Sequence, residues 1–331
     1  MEGINKSTTT RTSVLITGVA GFIGSNLAEA LIEKGYTVVG LDNFDPFYDK
    51  SIKIRNLQSL IKSKDFFFIE GSLNDTEMYE ILAGNFDVVI HLAAKAGVQP
   101  SLSDPVSYLD NNVKGTNILL EWMRRKNIRK FIFASSSSVY GNSASVPFEE
   151  SGIVNAPISP YAFSKASCEL LNYTYHYLYK MDVINLRLFT VFGERQRPDL
   201  AIHKFVRQIF AGEPIVLNGD GSSARDYTYI SDIVNGLLAA INYVLSNSCI
   251  YENINLGNNK PVSLMGMVNV IKKNISIQPQ LIFGDKKPGD VEITCANIEK
   301  AGNLLGYNPQ VSFEQGIKKF VDWYTLQNEY K

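Results

Sequence analysis

Tyr161 and Lys165 stand four residues apart in SPYAFSKASCELLNY, a stretch with helical spacing, so their side chains share one face and can meet. A free tyrosine, with a pKa of about 10, holds its proton too tightly to act as a base at neutral pH, and a neighbouring ammonium favours the phenolate. The pair therefore reads as a general base with its tuner, suited to taking a proton from a hydroxyl group. By itself such a pair is an ordinary solvated helix contact. Two further groups change that reading. ASSSSVYG, residues 134–141, sets a row of hydroxyls at the end of an apolar run, where open α/β sheets bind ligands. RLFTVFGERQRPD, residues 187–199, gathers Arg187, Arg195 and Arg197 beside Thr190.

That cluster lies in a chain with 32 basic and 33 acidic residues. Such a balance excludes a global field for nucleic acid or an anionic membrane, so anion recognition has to be local. The three cysteines, Cys168, Cys249 and Cys295, are far apart and fit neither a disulfide framework nor a metal site, so reduced core thiols and no metal are expected. The first residues, MEGINKSTTTRTS, lack the apolar run of a signal peptide, and no stretch of about 18 apolar residues suggests a membrane helix. A soluble, cytoplasmic protein is the expectation.

The elements that must position these groups are legible in the hydrophobic pattern. Short apolar runs at 14–17, 37–41, 66–69, 88–91, 131–135 and 183–188 read as buried strands. Helical spacing occupies 23–34, 105–125 and 160–180, the last opened by Ser159 as N-cap and Pro160 at the first helical position. This alternation predicts an α/β fold with a doubly wound parallel sheet, a Rossmann-like domain over residues 1–188. Beyond Phe189 the elements shorten and glycine and proline accumulate in GEP, NGDGSS, NNKP and KKPGD. Residues 189–331 are expected to form a smaller α/β domain that closes over the strand ends, with returns of the chain to the main sheet.

The first strand runs into Gly18-Val19-Ala20-Gly21-Phe22-Ile23-Gly24, where glycines permit a tight turn and let a pyrophosphate approach the backbone at a helix N-terminus. The second strand leads to Asp42, an acid suited to accept from ribose hydroxyls and to repel a 2′-phosphate, which favours NAD over NADP.

The glycine spacing G-x-x-G-x-x-G and HLAAKAG, residues 91–97, together resemble the extended short-chain dehydrogenase/reductase superfamily. The resemblance implies NAD as cofactor, with Phe22, Ile23 and Asn43 joining the glycines and Asp42 around it. Ser72 and Leu73 would border the adenine, although many relatives carry Asp where Ser72 stands. Leu92, Ala93, Ala94 and Lys95 would line the cofactor at the end of the fourth strand, and Asn112, Tyr161 and Lys165 would complete its site. It also completes a catalytic triad, Ser136 with Tyr161 and Lys165: Tyr161 takes the hydroxyl proton while the hydride passes to NAD, and Ser136 hydrogen-bonds the reacting oxygen. His91 is expected to be a packed strand residue, and His176 and His203 to be helix residues without catalytic roles.

Residues 218–232 resemble the part of nucleotide-sugar epimerases and dehydratases in which an arginine, here Arg225, binds the diphosphate. Residues 287–309 resemble their C-terminal signature, whose Asp, here Asp290, lies near the nucleoside. Sugar 4,6-dehydratases typically read Thr-Asp-Glu before VYG, because eliminating water needs a carboxyl acid and a base. This chain has Ser137 and Ser138 there, so it can oxidise a sugar and return the hydride to the opposite face, which inverts C4. RLFTVFG, RPDLA, FYDKSIKIRNL, SSSSVYG and NLGNNKPVSLM together resemble the UDP-glucuronate 4-epimerases, with Thr190 where neutral-sugar 4-epimerases commonly carry Asn. Gln99 departs from the pattern, since relatives often read Arg there.

A uronate oxidised at C4 is a β-keto acid that loses carbon dioxide when its carboxylate aligns with the carbonyl, so the carboxylate has to be gripped. Ser137, Ser138 and Thr190 would supply hydroxyl contacts and Arg197 the charge, with Arg195 as the alternate and Arg187 structural. The expected activity is NAD-dependent 4-epimerisation of UDP-glucuronate to UDP-galacturonate. Its rivals are a 4-epimerase of neutral or N-acetylated UDP-hexoses, a UDP-glucuronate decarboxylase, and a catalytically silent NAD-binding module. The expected partners are a UDP-sugar and a second copy of the chain, docked through the helices at 105–125 and 160–180, with no nucleic acid or membrane.

Overall fold

A computed structural model describes residues 11–82, 84–142, 145–285 and 291–328. The apolar runs form β1 (Ser13–Thr17), β2 (Thr37–Asp42), β3 (Phe66–Glu70), β4 (Val88–His91), β5 (Lys130–Ser136) and β6 (Asp182–Leu188). Each strand ends within one residue of its predicted bound. Between them lie α1 (Phe22–Glu33), α2 (Lys50–Leu57), α3 (Met78–Ile81), α4 (Val98–Ser103), α5 (Pro105–Tyr108), α6 (Gly115–Arg125) and α7 (Pro160–Tyr179). The hydroxyl of Ser159 accepts from the backbone N–H of Ala162 at 3.1 Å, so the cap read from sequence is made, with Pro160 in the first turn.

The predicted helix at 105–125 is not uniform. Between α5 and α6, Leu109–Lys114 widen into a π-helical turn. Within it Asn112 is buried and held at both ends of its amide, while Thr116 donates to the Asn112 carbonyl at 2.5 Å.

The second half contributes β7 (Thr190–Phe192), α8 (Ala201–Phe210), β8 (Ile215–Asn218), β9 (Ala224–Tyr229), α9 (Ile230–Ser246) and β10 (Tyr251–Leu256). Then come β11 (Pro261–Ser263), α10 (Leu264–Asn274), β12 (Leu281–Gly284), α11 (Glu299–Leu305) and α12 (Phe313–Asn328). Among the described residues, seven strands make one parallel sheet in the order β3-β2-β1-β4-β5-β6-β10. The chain thus crosses back over position 189: β10 pairs with β6 from Tyr251 opposite Val183 to Leu256 opposite Leu188, and α9 packs on α1 and on the sheet. Strand order reverses between β1 and β4, which opens a crevice at their C-terminal ends. The remaining strands form two small sheets, β11-β9-β7 and β12-β8.

Both faces of the central strands β1 and β4 are covered, so these read as continuous apolar runs rather than alternating ones. Val14, Ile16 and Ile90 pack on one side with Leu27 and Leu31 of α1 and Leu237 and Ile241 of α9. Leu15, Val89, Phe131 and Phe133 pack on the other with Leu119 and Met123 of α6 and Cys168 of α7.

A charged cluster lies within this core. Arg187 of β6 donates to both carboxylate oxygens of Glu169 on α7, through Nε at 3.0 Å and Nη2 at 2.7 Å, with side chains only 3% and 6% exposed. Ser135 of β5 donates to the same carboxylate at 2.5 Å, and Arg187 Nη1 donates to the hydroxyl of Tyr140 at 3.0 Å. Tyr140 in turn donates to Asn255 of β10 at 2.7 Å. Arg187 is therefore structural, as its strand position suggested.

Removing one member of such a pair leaves the other charge buried without a partner, which costs about 3–5 kcal/mol. Arg187→Met is expected to lose stability on that scale in urea unfolding, and the double variant Arg187→Met/Glu169→Leu to recover much of the loss. A single variant with an unchanged midpoint would contradict this role.

Candidate active site

The C-terminal ends of β1, β2, β4, β5 and β6 border a cavity of about 500 Å³. Its lining includes Gly18, Gly21, Phe22, Ile23, Gly24, Asp42, Asn43, Ser72 and Leu73 on the cofactor side. Leu92, Ala93, Ala94 and Lys95 continue the wall to Ser136, Ser137, Ser138, Tyr161, Lys165, Thr190 and Arg197. Four residues expected at the site stand apart from this lining. Asn112 and Arg195 lie outside it, Arg225 borders a neighbouring recess of about 120 Å³, and Asp290 falls outside the described residues.

The glycine turn is built for close approach. Gly18 has φ +75°, and a side chain there would put its Cβ 2.7 Å from the backbone nitrogen of Ala93. At Gly24 a Cβ would run into the carbonyl oxygen of Gly18, so the first turn of α1 can lie against the strand end only without a side chain. Asp42 holds this turn from β2: its carboxylate accepts from the N–H of Ala20 at 3.1 Å and of Phe44 at 2.8 Å. Burial pushes the Asp42 carboxyl upward, and the Lys53 ammonium beside it pulls the other way.

Lys53, Phe47 and Tyr48 also line the cavity, and sequence reasoning gave them no role. Lys53 donates to the carbonyl of Asp45 at 2.9 Å and lies over the Tyr48 ring at 4.8 Å. A signal was available. Asp49 caps α2, whose buried face consists of Lys53, Asn56 and Leu57, so two polar residues occupy positions where an ordinary surface helix carries apolar ones. Asn56 uses its place to donate to the carbonyl of Ala20 at 3.0 Å, a second brace on the glycine turn.

His91 shares hydrogen bonds with Thr17 at 2.6 Å and Thr116 at 2.9 Å, and burial pushes its pKa down to about 3. It is a neutral cross-link inside the sheet layer. Asn112 differs from expectation. Its amide is consumed by the backbone N–H and carbonyl of Lys95, at 2.8 and 2.9 Å, and by the hydroxyl of Ser164 at 2.9 Å. It braces the wall beside Lys95 against α7.

Ser136 ends β5 and caps the short turn Ser137–Tyr140, accepting from the N–H of Ser138 at 3.2 Å. Its hydroxyl also acts on Tyr161, and together with the nearby Arg197 it favours the phenolate. Burial outweighs both, so the Tyr161 pKa lies above its ordinary value. This reverses the direction expected from the spacing. Lys165, four residues on, directs its ammonium to the carbonyl of Ala134 at 2.6 Å and over the Phe133 ring at 4.6 Å. Burial pushes the Lys165 pKa down to about 8, against the pull of Cys168 and Glu169.

The arginines separate clearly. Arg195, with φ +66°, turns toward α1 and pairs with Glu29 at 2.7 Å. Arg197 faces the cavity, donates to Asp199 through Nε at 2.9 Å and Nη2 at 2.6 Å, and reaches the carbonyl of Ala96 at 3.3 Å. Arg225 of β9 donates to the carbonyl of Ala224 at 2.9 Å and shares its recess with Ser137, Ser138 and Thr190, which also line the main cavity. His203 holds the carbonyl of Gln196 at 2.6 Å and so supports the loop that carries Arg197.

A backbone cradle that a Cβ would fill, an acid at the end of β2 and a row of hydroxyls beside a Tyr–Lys pair suit a nicotinamide dinucleotide next to an alcohol substrate. Residues 15–320 match the GDP-mannose 4,6 dehydratase family. The chain is 40% identical over 312 residues to a UDP-glucuronate 4-epimerase of Thermodesulfobacterium geofontis, spanning 93% of this chain and 95% of that one. It is 41% identical over 331 residues to UDP-glucuronate 4-epimerase 1 of Arabidopsis thaliana, spanning 94% and 76%. The crystal structure of UDP-glucuronic acid 4-epimerase from Bacillus cereus, in complex with UDP-glucuronic acid and NAD, matches with a TM-score of 0.90 at 36% identity, covering 96% and 100% of the two chains.

Two outcomes follow from this geometry. Gly24→Ala has to displace the turn, an overpacking of about 1–3 kcal/mol, and is expected to lower NAD affinity about tenfold, measured as NAD content of the purified protein after dialysis. Lys165 is an ammonium below about pH 8 and a neutral amine above it. kcat/KM is therefore expected to fall as pH rises through that value, and Lys165→Arg to move the fall to higher pH; a profile still rising there would contradict the role.

Proposed function

We infer the activity from one premise: the chain belongs to the GDP-mannose 4,6 dehydratase family. Within that family it catalyses the NAD-dependent 4-epimerisation of UDP-glucuronate to UDP-galacturonate through a 4-keto sugar. The single observation that carries this reading is one cavity in which Ser136, Tyr161 and Lys165 stand beside Thr190, Ser137, Ser138 and Arg197. The glycine turn, Asp42 and the Leu92–Lys95 wall would hold the cofactor. Bound NAD supplies the site that takes the C4 hydride and gives it back.

The protein's own groups do the rest. Tyr161 takes the proton of the C4 hydroxyl, and Ser136, which lines the same cavity, steadies the oxygen. Lys165 keeps positive charge near the phenolate as it forms, which offsets the burial that opposes it. After the keto sugar turns, the same phenol returns the proton to the C4 oxygen, which stays on C4 throughout. Ser137 and Ser138 carry no carboxyl group, so there is no acid and base for elimination. The hydroxyls of Ser137, Ser138 and Thr190, with Arg197, would hold the uronate carboxylate away from alignment with the carbonyl and so suppress decarboxylation.

Residues 189–331 would form the nucleotide-sugar side of the enzyme, contributing Thr190 and Arg197 to the cavity and Arg225 to the recess that suits a diphosphate. A homodimer through the 105–125 and 160–180 helices is part of the proposal. Its support is apolar exposure on them: Val106 is 67% exposed, Leu170 70% and Tyr177 64%. Among the described residues no helix is long and apolar enough to cross a membrane. Free cysteines at 168, 249 and 295 support a reducing, cytoplasmic setting.

Incubating the purified protein with UDP-glucuronate and resolving the products is expected to give UDP-galacturonate. UDP-pentose would identify a decarboxylase instead, and turnover of UDP-glucose alone would overturn the reading. Tyr161→Phe is expected to lower kcat by about 10²–10⁴ while NAD stays bound. Leu170→Glu is expected to yield a monomer in sedimentation.

A further inference from the structure

Asp199 is absent from the cavity wall, yet it occupies the guanidinium that lines it. The two hydrogen bonds it accepts from Arg197, at 2.9 and 2.6 Å, form the parallel fork that an arginine offers to any carboxylate. The two side chains differ in freedom. Arg197 is 17% exposed and is fixed by the Ala96 carbonyl at 3.3 Å and by the Phe47 ring, 5.0 Å from its guanidinium carbon. Asp199 is 37% exposed at the edge of the loop, just before α8.

We propose that Asp199 is a specificity-determining residue, an internal carboxylate that competes with the sugar carboxylate for Arg197 and sets how strongly the site prefers a uronate to a neutral sugar. The proposal rests on the reading that Arg197 holds the uronate carboxylate. Paired with Asp199, the guanidinium presents no unmatched cation to a neutral sugar, which is then not penalised for leaving a charge unpaired. A uronate, in contrast, brings a second carboxylate to one fork, and two carboxylates at that distance repel each other in a cavity of low dielectric. The strain is relieved by the freer partner: Asp199 turns out to water while Arg197 stays in the wall. Binding of the uronate is therefore weaker than Arg197 alone would make it, and the preference over neutral sugars is narrower.

Asp199→Asn keeps the size and one acceptor but removes the competing charge. Relative to wild type, it is expected to lower KM for UDP-glucuronate roughly fivefold, the scale of a partly exposed ion pair. The inhibition constant of UDP-glucose against that turnover is expected to stay the same or rise. Asp199→Ser gives the same direction without the amide. A residue serving only the start of α8, through the helix dipole, would instead lower Tm and shift both constants upward together; that result overturns the proposal, as does an unchanged KM. Arg197→Ala is measured alongside. A raised uronate KM with UDP-glucose inhibition unaltered supports the underlying grip, so that failure of the Asp199 variants then counts against Asp199 alone; a uronate KM unaffected by Arg197→Ala overturns the grip and the proposal with it.

Discussion

Arg187 on β6 and Glu169 on α7 form the contact on which the catalytic geometry depends, because neither charge can remain between sheet and helix without the other. Apolar packing alone tolerates small slides of a helix over a sheet. A bidentate pair does not, since a shift of an ångström breaks two charge-assisted bonds at once. Glu169 lies one turn beyond Lys165 and two beyond Tyr161 on α7, while Ser135, bonded to the same carboxylate, precedes Ser136 on β5. The pair thereby sets the register between the helix that carries the base and the strand that carries the hydroxyls. Through Tyr140 and Asn255 it extends to β10, the strand that returns from the second half of the chain.

The same buried environment governs the acid–base chemistry. Burial pushes Tyr161 up and Lys165 down, the directions that disfavour charge on each. A phenolate therefore forms only with help from its surroundings, namely the Ser136 hydroxyl and the Arg197 guanidinium. A base that is unstable as an anion until the site is filled loses little by waiting for its substrate. The sugar-facing wall follows a matching logic, with hydroxyls and one paired guanidinium where a dehydratase needs carboxyl groups.

Much of this was legible in the residues. The six first strands, the cap at Ser159, the glycine turn and the shared face of Tyr161 and Lys165 all rest on interactions within a few residues, and sterics and periodicity fix those locally. Other features depended on distant partners. Asn112 became a brace because Lys95 and Ser164 reach it from two other segments. Lys53 and Tyr48 entered the cavity because α2 folds back over Asp42.

What the amino-acid order determined by itself was the alternation that makes a parallel sheet, the glycine turn at its first strand end and the shared face of Tyr161 and Lys165, whereas the switch point between β1 and β4 came from the topology. Which arginine serves the cavity was decided only in three dimensions. Arg195 and Arg197 are two residues apart and chemically identical, but the left-handed turn at Arg195 sends one to Glu29 on α1 and the other to the cavity wall. The direction of the Tyr161 shift was likewise a tertiary matter, since desolvation depends on everything packed around a group, and spacing along a helix records only its nearest neighbours.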